Sequence, residues 1–387
     1  MKTVFVEPAG KLHSAYKQMM EYPPEGYTFI STQGVIEKAT LGILYNQAIY
    51  HLIAERLAKS VPLHYIRSYM GKFRKPPKNI DLTYACGHLD FRKEPWVVEL
   101  EWAPQLTGFS MRYFQKFRKT IERVLKSDYC KKIICMSELT CQTIINNLDA
   151  DGIEHKIVTL YRTVQPKQFV KQYNDGKVTL LFIGSINIPE QFEDEKGGKE
   201  LLEAFEIISR NYDNIELVIR SDIPPKVKER ILRMKKVRLI DHILPWSELE
   251  REFQSADIAL LPAHHTPSLA FLDAMSYELP VVTIDSWANA EIVKDGKTGI
   301  VTSYPQEQLI PVSDFVPSGR VHPIKRGSRS TNPEVVRELA DKTSRLIEDR
   351  ELRRKMGKNG RQEVEHGRFS MEKRQERLKQ ILDEATA

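Results

Sequence analysis

The sequence predicts an α/β protein with two doubly wound parallel sheets, and three observations support that fold class. Its 387 residues exceed what one ordinary core holds and suit two domains of about 150–200 residues each. In the second half, apolar runs of strand length alternate with helical patterns, which is typical of a parallel sheet covered by helices on both faces. The first half alternates in the same way, though less regularly.

The second half shows the alternation most clearly. A helical pattern begins near Gly198, and further helices are predicted with Ser247 and Thr266 as N-caps, with Pro267 in the first helical turn, and from Asn332 onward. On the first of these helices five apolar side chains share one face: Leu201, Leu202, Ala204, Phe205 and Ile208. The strands of this half are predicted at VTLLFIG, IELVIRS, VRLI, ADIALLP and PVVTID.

The first half is predicted to contain six strands, with helices between them: TVFVE, YTFIS, LHYI, DLTYA, PWVVELE and KKIICMS. The two domains are predicted to span residues 1–165 and 166–365 and to face each other across a cleft. Ligands of open parallel sheets bind at the carboxyl ends of strands, so that cleft is the expected site. Residues 304–331 form a predicted long loop.

Composition excludes several classes of protein. The chain is 41% hydrophobic and 28% charged, which is typical of a folded globular protein and not of a disordered one. No stretch approaches ~18 consecutive apolar residues, and MKTVFVEPAG is interpreted as a first strand, not a signal peptide. Four cysteines lack CxxC spacing and predict buried reduced thiols in a cytoplasmic protein: Cys86, Cys130, Cys135 and Cys141.

Positive charge is concentrated in the first half. Residues 1–165 hold 23 Lys and Arg against 16 Asp and Glu, whereas the remainder holds 35 against 36. The basic, aromatic stretches at 67–78 and 108–126 predict either a surface for anionic lipid or an ordinary amphipathic helix whose apolar face packs on the sheet. No helix-turn-helix, zinc or RNA-binding signature accompanies the charge, so no nucleic-acid partner is expected.

The stretch HHTPSLAFLDAMS (264–276) is the leading candidate for a ligand site. It follows a predicted strand end, and the positive end of the helix that begins there suits a phosphate. Asp273 lies one to two turns further on, where an unpaired acid favours a polar cleft. Three backbone amides at the start of this helix have no helical acceptor: those of Ser268, Leu269 and Ala270.

From about residue 178 to residue 301 the chain resembles the donor domain of the retaining GT-B glycosyltransferases of family four. That family carries a Glu, seven residues, and a second Glu followed by Ala-Met, a small residue and Pro-Val-Val. LDAMSYELPVV places Asp273 at the second Glu and His265 at the first. LLFIGS with Lys196-Gly197, VRLIDHILPWSELEREFQSADIALLP and EIVKDGKTGIV also resemble family segments. The tail, 366–387, resembles the closing helix that packs back on the first domain.

The resemblance implies a GT-B fold and a hexosyltransferase that uses a UDP- or GDP-linked sugar and a hydroxyl acceptor, either a glycan or a lipid-linked acceptor. Retention at the anomeric carbon is implied, with no obligatory metal and no other cofactor. Lys196 and the helix amides would stabilise the leaving diphosphate, Asp273 would bind the ribose, and His265 would contact the sugar ring. The remaining implied donor-binding residues are Gly184, Ser185, Arg220 and Glu291.

The first domain offers two weaker catalytic candidates. Where the family often carries a His, PWVVELEW has Glu101, and His88 follows the preceding strand. The Glu101 carboxylate would orient a hydroxyl nucleophile or stabilise positive charge at the anomeric carbon, and His88 is the second catalytic candidate. Both residues also have a structural interpretation.

Departures from the family pattern keep other functions open. His265 replaces a Glu, Ser185 replaces an Arg, and Thr266 replaces a Gly. A catalytically degenerate nucleotide-sugar-binding partner or regulatory subunit is one alternative, and a GT-B nucleotide-sugar epimerase is another. Each donor-site residue has an ordinary interpretation as well: His264 and His265 as surface histidines, Lys196 in a solvated turn, Arg220 paired with Asp222.

Overall fold

The computed structural model describes residues 1–8, 13–31, 61–173, 176–186, 188–305 and 330–387. They form two compact units, Met1–Tyr161 with Arg374–Ala387, and Arg162–Lys373. The predicted loop at 304–331 lies largely outside the described residues. No helix in the described ranges combines the length and apolar character that crossing a membrane requires.

The first unit contains a parallel sheet in the order β2-β1-β3-β4-β5-β6. The strand order reverses between β1 and β3, which makes that gap the topological switch point. The strands are β1 Lys2–Pro8, β2 Tyr27–Ile30, β3 Leu82–Cys86, β4 Trp96–Leu100, β5 Cys130–Cys135 and β6 Ile157–Thr159. The helices are α1 Ser14–Glu21, α2 Leu63–Gly71, α3 Met111–Lys126 and α4 Glu138–Ile145, with 3-10 turns at Ala103–Thr107 and Glu154–Lys156.

The second unit contains a parallel sheet in the order β12-β11-β10-β7-β8-β9, whose switch point lies between β7 and β10. The strands are β7 Val178–Ile183, β8 Ile215–Arg220, β9 Val237–Ile240, β10 Ile258–Leu260, β11 Val281–Ile284 and β12 Gly299–Thr302. The helices are α5 Gln191–Asp194, α6 Gly198–Asn211, α7 Pro225–Arg233, α8 Trp246–Ser255, α9 Ser268–Ser276, α10 Asn289–Ile292, α11 Pro333–Glu348 and α12 Arg350–Glu365.

Burial follows the predicted patterns. The apolar face of α6 is buried as predicted, and all four cysteines are free and buried. In the first unit the last helix, α13 Met371–Ala385, packs Leu378, Ile381 and Leu382 into the same core as Val4 and Val6. Fully burying one such side chain contributes about 1.5–3 kcal/mol, so the end of the chain helps to hold the first sheet.

Three local predictions are wrong. LHYI begins helix α2 instead of forming a strand, because four residues cannot distinguish a period of 2 from one of 3.6. Ser247 is not an N-cap, since α8 begins at Trp246 after Pro245. Thr266 does not cap α9 either, because its Oγ1 instead accepts a hydrogen bond from the backbone N–H of Ala288 at 2.9 Å.

Candidate functional site

The loops that follow β7 and β10 are joined at the switch point of the second unit. The carbonyl of Glu195 accepts hydrogen bonds from the backbone N–H groups of His264 (2.9 Å) and His265 (3.3 Å). Gly197 has a φ of 74°, and a Cβ placed there would lie 1.9 Å from the carbonyl oxygen of Pro262. The backbone contact therefore places Lys196 beside the two histidines.

A second set of contacts holds the β10–α9 loop from the side of β11. Ser286 Oγ donates to the carbonyl of His264 at 3.0 Å, and Asn289 Nδ2 donates to that of Ala263 at 2.7 Å. Ser286 and Asn289 are buried, so a side chain that needs contact with solvent cannot replace either of them. Neither residue was predicted from the sequence; the signal for both is the stretch DSWANAE, directly after a strand.

Helix α9 begins in this clamped loop. Pro267 occupies the N-cap position without a side-chain cap, and the first helical bond runs from Phe271 N to the carbonyl of Pro267 at 3.1 Å. The amides of Ser268, Leu269 and Ala270 lie in the first turn, where no helical carbonyl reaches them. These three residues are half-buried, which leaves the positive end of the helix accessible.

Asp273 lies on the second turn of α9. Burial raises the pKa of its carboxyl group to about 6, and the positive charge of Lys167 opposes part of that rise. The Nζ of Lys167 lies 4.7 Å from the ring centre of Trp246, and no motif identified this lysine. Asp273 is therefore a half-buried acid whose ionisation costs free energy. Among the described residues, Lys167 is the cation that acts on its pKa.

The two histidines have different environments. His264 is buried, with its Nε2 3.2 Å from Oε1 of Glu200 and its ring 5.1 Å from that of Tyr304. The interpretation of His264 as a surface histidine is wrong. His265 is half-buried, and its ring centre lies 4.9 Å from that of Trp287. Of the pair, His265 has the side chain that a ligand can reach.

The ends of β7 and β8 supply a further cation. Arg220 donates from Nη1 to the carbonyl of Gly184 at 3.2 Å, and its buried Nε has no hydrogen-bond partner among the described residues. Burial lowers the pKa of Arg220. Asp222 uses its Oδ1 to accept from the backbone of Ile223, and its own N–H donates to the carbonyl of Ser185 at 2.7 Å. Arg220 thus lies against the β7 loop.

Glu291 lies on the short helix α10, which follows β11. It is half-buried, and its backbone carbonyl accepts a hydrogen bond from Arg368 Nη2. The contact connects α10 with the segment that follows α12. Glu291 is therefore positioned at the same strand end as Ser286 and Asn289.

The two candidates of the first unit follow β3 and β4. His88 is buried, with its Nε2 4.0 Å from Glu7 Oε2. Burial favours a higher pKa for Glu7, but hydrogen bonding from His88 and the charge of Arg92 outweigh it and hold the pKa at about 2. Glu101 is half-buried; its N–H donates to Gln105 Oε1 at 2.6 Å. Glu7 and Arg92, which the sequence analysis missed, make His88 part of a charged network.

Comparison with known proteins identifies the second unit. Residues 177–310 match the family model described as Glycosyl transferases group 1. The chain carries a glycosyl transferases group 1 domain. That domain includes all ten of the predicted donor-binding residues, from Gly184 to Glu291. The comparison with curated protein sequences found no match.

Solved structures of glycosyltransferases share the fold of the whole chain. HepE from Anabaena, crystallised with UDP and glucose, is 14% identical, with a TM-score of 0.61 over 99% of each chain. A glycosyltransferase from Rickettsia africae is 14% identical, with a TM-score of 0.59 over 99% of this chain and 98% of its own. TarM from S. aureus is 14% identical, with a TM-score of 0.56 over 81% of this chain and 57% of its own. The fold of the chain is accordingly GT-B.

Proposed function

We propose that this protein is a glycosyltransferase that moves a sugar from a nucleotide-diphospho-sugar to a hydroxyl acceptor with retention at the anomeric carbon. The observation that carries the proposal is the joined pair of loops at the β7/β10 switch point, where the carbonyl of Glu195, the neighbour of Lys196, bonds the loop that leads into α9. A leaving diphosphate gains negative charge as the glycosidic bond breaks. Preorganised amides and a lysine stabilise that charge without metal chemistry, and no cofactor enters the proposal.

The other donor contacts follow from the positions of the side chains. The orphaned Nε of Arg220 is a donor for a phosphate oxygen near Gly184 and Ser185. Asp273 accepts hydrogen bonds from the ribose hydroxyls, and His265 contacts the sugar ring. HepE, of the same fold, was crystallised with UDP-glucose, which makes UDP-glucose the first donor to test.

The acceptor hydroxyl is assigned to the first domain, residues 1–165, and the donor to residues 166–365. His88 or Glu101 orients that hydroxyl in this proposal. His88 is the better placed of the two, because Glu7 is ionised beside its Nε2 and favours a proton on that nitrogen. The imidazole Nδ1 then accepts the hydroxyl proton.

The test is incubation of the full chain with UDP-glucose and GDP-mannose, followed by measurement of nucleoside-diphosphate release and of the sugar product. Release that depends on an added glycan or lipid acceptor, with the α-anomeric configuration kept in the product, supports the proposal. Binding of the nucleotide without release indicates the non-catalytic binding partner. An altered nucleotide sugar formed without an acceptor indicates an epimerase.

The lipid-linked form of the acceptor leads to a proposal about location. On α3, Tyr113, Phe114, Ile121 and Leu125 are buried, so that helix has the ordinary amphipathic role. The segment 63–78 is different: its Phe73 is 69% exposed, and further apolar side chains are exposed beside basic ones. They are Leu63, Ile66, Tyr69 and Met70, next to Lys72, Lys75 and Lys78.

We therefore place segment 63–78 against an anionic, cytoplasmic membrane face. Co-sedimentation with vesicles of phosphatidylglycerol and phosphatidylcholine tests this placement. The Phe73→Ala variant should bind less to the anionic vesicles, whereas Leu232→Ala, which removes a similarly exposed side chain (68%) from the second unit, should not. Equal binding to pure phosphatidylcholine would refute it.

A further inference from the structure

A pocket lies at the switch point of the first unit, between the ends of β1 and β3. Its empty space of about 420 Å³ includes volume that is open to solvent. Glu7 and Pro8 line it from β1, and residues 88–90 with Arg92 line it from the β3 loop. Its remaining wall is helix α2 and the turn after it.

The inner end of this pocket offers hydrogen-bond acceptors. His64 and His88 each have a buried Nδ1 without a hydrogen-bond partner among the described residues. Burial, together with the nearby Arg67, lowers the pKa of His64 to about 4, so its imidazole is neutral at pH 7. Two imidazoles that each have an unpaired ring nitrogen can form hydrogen bonds with the hydroxyl groups of a ligand.

The two carboxylates in the pocket share one cation. Arg92 donates to Asp90 from Nε at 2.9 Å and from Nη2 at 2.6 Å, and it also binds Glu7. Asp90 and Arg92 are both buried. The one positive charge of Arg92 offsets only one of the two acids, so the base of the pocket keeps a net negative charge that favours the outer wall as the place of an incoming oxyanion.

The outer wall carries the uncompensated charge. Arg67, Ser68, Gly71 and Arg74 line the pocket at the spacing of one helical stripe. Arg67 and Arg74 are exposed, and neither forms an ion pair within the described ranges. Gly71 lies between them and contributes no side chain, which leaves room for a ligand to contact both guanidinium groups.

We infer that this pocket binds an acidic sugar, with its hydroxyls on the imidazoles and its oxyanion held by Arg67 and Arg74. Guanidinium groups match carboxylate and phosphate oxygens bidentately, so the oxyanion is the recognised chemistry. This inference rests on the proposed function. It identifies the acceptor as an acidic glycan unit that binds beside His88. No group of the donor is needed for this binding.

Calorimetric titration of the full chain without nucleotide tests the inference. The ligands are methyl glucuronide for a carboxylate, glucose 6-phosphate for a phosphate, and methyl glucoside as the neutral match. At least one acidic ligand should bind about tenfold or more tightly than methyl glucoside, and Arg67→Ala or Arg74→Ala should remove most of that difference. Arg67→Lys should recover it only in part, because an ammonium cannot form the fork.

Two control variants separate the inference from its rivals. Lys75→Ala removes an exposed cation next to Arg74 that does not line the pocket, and it should bind the acidic ligand as wild type does. Lys196→Ala should also bind it normally. Equal binding of acidic and neutral sugars, or equal losses in Lys75→Ala and Arg74→Ala, would overturn the inference. Arg67-dependent binding in a protein that never releases a nucleoside diphosphate would leave the inference intact and refute only the proposed function.

Discussion

The two units present the same edge of a parallel sheet by different means. In the second unit backbone groups shape the site: the carbonyl of Glu195 bonds the β10–α9 loop, and Gly197 packs against Pro262. In the first unit charged side chains shape it, through the network of Glu7, Asp90 and Arg92. Backbone hydrogen bonds and packing thus shape the site of the second unit, and ion pairs shape the site of the first.

This difference determines how each site should respond to change. A site held by close backbone packing is sensitive to an added Cβ. A site held by ion pairs tolerates small changes in volume, but its stability depends on the ionisation of its acids. Four substitutions test that contrast.

Gly197→Ala should have the largest effect. Its Cβ would lie 1.9 Å from the carbonyl of Pro262, so the loops must separate, with an expected loss of about 3 kcal/mol or more in unfolding free energy. UDP binding should be lost as well. Gly296→Ala is the matched control: its φ is similar, 71°, but nothing lies within 4 Å, so only about 1–2 kcal/mol of backbone strain is expected. Equal thermal shifts in the two variants would contradict the backbone clamp.

Lys196→Ala should lower the rate of nucleoside-diphosphate release by about tenfold or more, because it removes a charge next to the leaving phosphate. Thermal stability should stay near the wild-type value. The control is Lys226→Ala, an exposed lysine of the same unit. A rate equal to that of the control would remove Lys196 from the donor site.

Glu7→Gln tests the ionic site. The pKa of Glu7 is about 2 in the folded protein against an ordinary value of 4.5, so the ionised acid stabilises the fold above pH 4.5, and that stability is lost as the pH falls toward 2. The variant should lose about 1–3 kcal/mol at pH 7 and less at pH 3, by urea unfolding. Glu21→Gln, at an exposed position, should lose almost nothing, and UDP affinity should not change. A loss independent of pH would argue against the charge network.

Asp273→Asn should have the smallest and opposite effect on stability. The carboxyl pKa is raised from 3.8 to about 6, so the folded state loses stability as the pH rises from about 4 to 6 and Asp273 ionises. Asn removes this cost, which predicts a gain on the order of 1 kcal/mol at pH 7.5 that disappears near pH 4. UDP affinity should fall, because the amide keeps one neutral acceptor oxygen where the carboxylate offers two charged ones to the ribose. An unchanged affinity would refute the ribose assignment.

The sequence predicted the fold better than it predicted the local structure. Strands, the buried face of α6 and the helical tail follow from apolar periodicity, which is a property of nearby residues. Thr266 shows where such reasoning stops: its hydroxyl resembles an N-cap, yet it accepts a bond from Ala288. Tertiary partners compete with local ones, and the sequence does not record which wins.

The candidate donor site was predicted in the same uneven way. Lys196, His265 and Asp273 were found because they align with a family motif, whereas Ser286 and Asn289 were missed because their role is to hold a backbone loop. His64 and Arg67 were missed for another reason. His64 belongs to a stretch interpreted as a strand, and Arg67 belongs to the basic stretch 67–78, so no pattern placed them beside His88.

By itself, the sequence determined the two-sheet architecture and the helix that begins after His265, since both depend on the order of apolar and polar residues along the chain. The tertiary structure decided which charged side chains remain available to bind a ligand. Arg92 is paired with two acids, Glu7 and Asp90, while Arg67 and Arg74 remain open at the pocket wall. Electrostatic compensation depends on distance in space, and only the folded chain brings residues 7, 90 and 92 within hydrogen-bonding range.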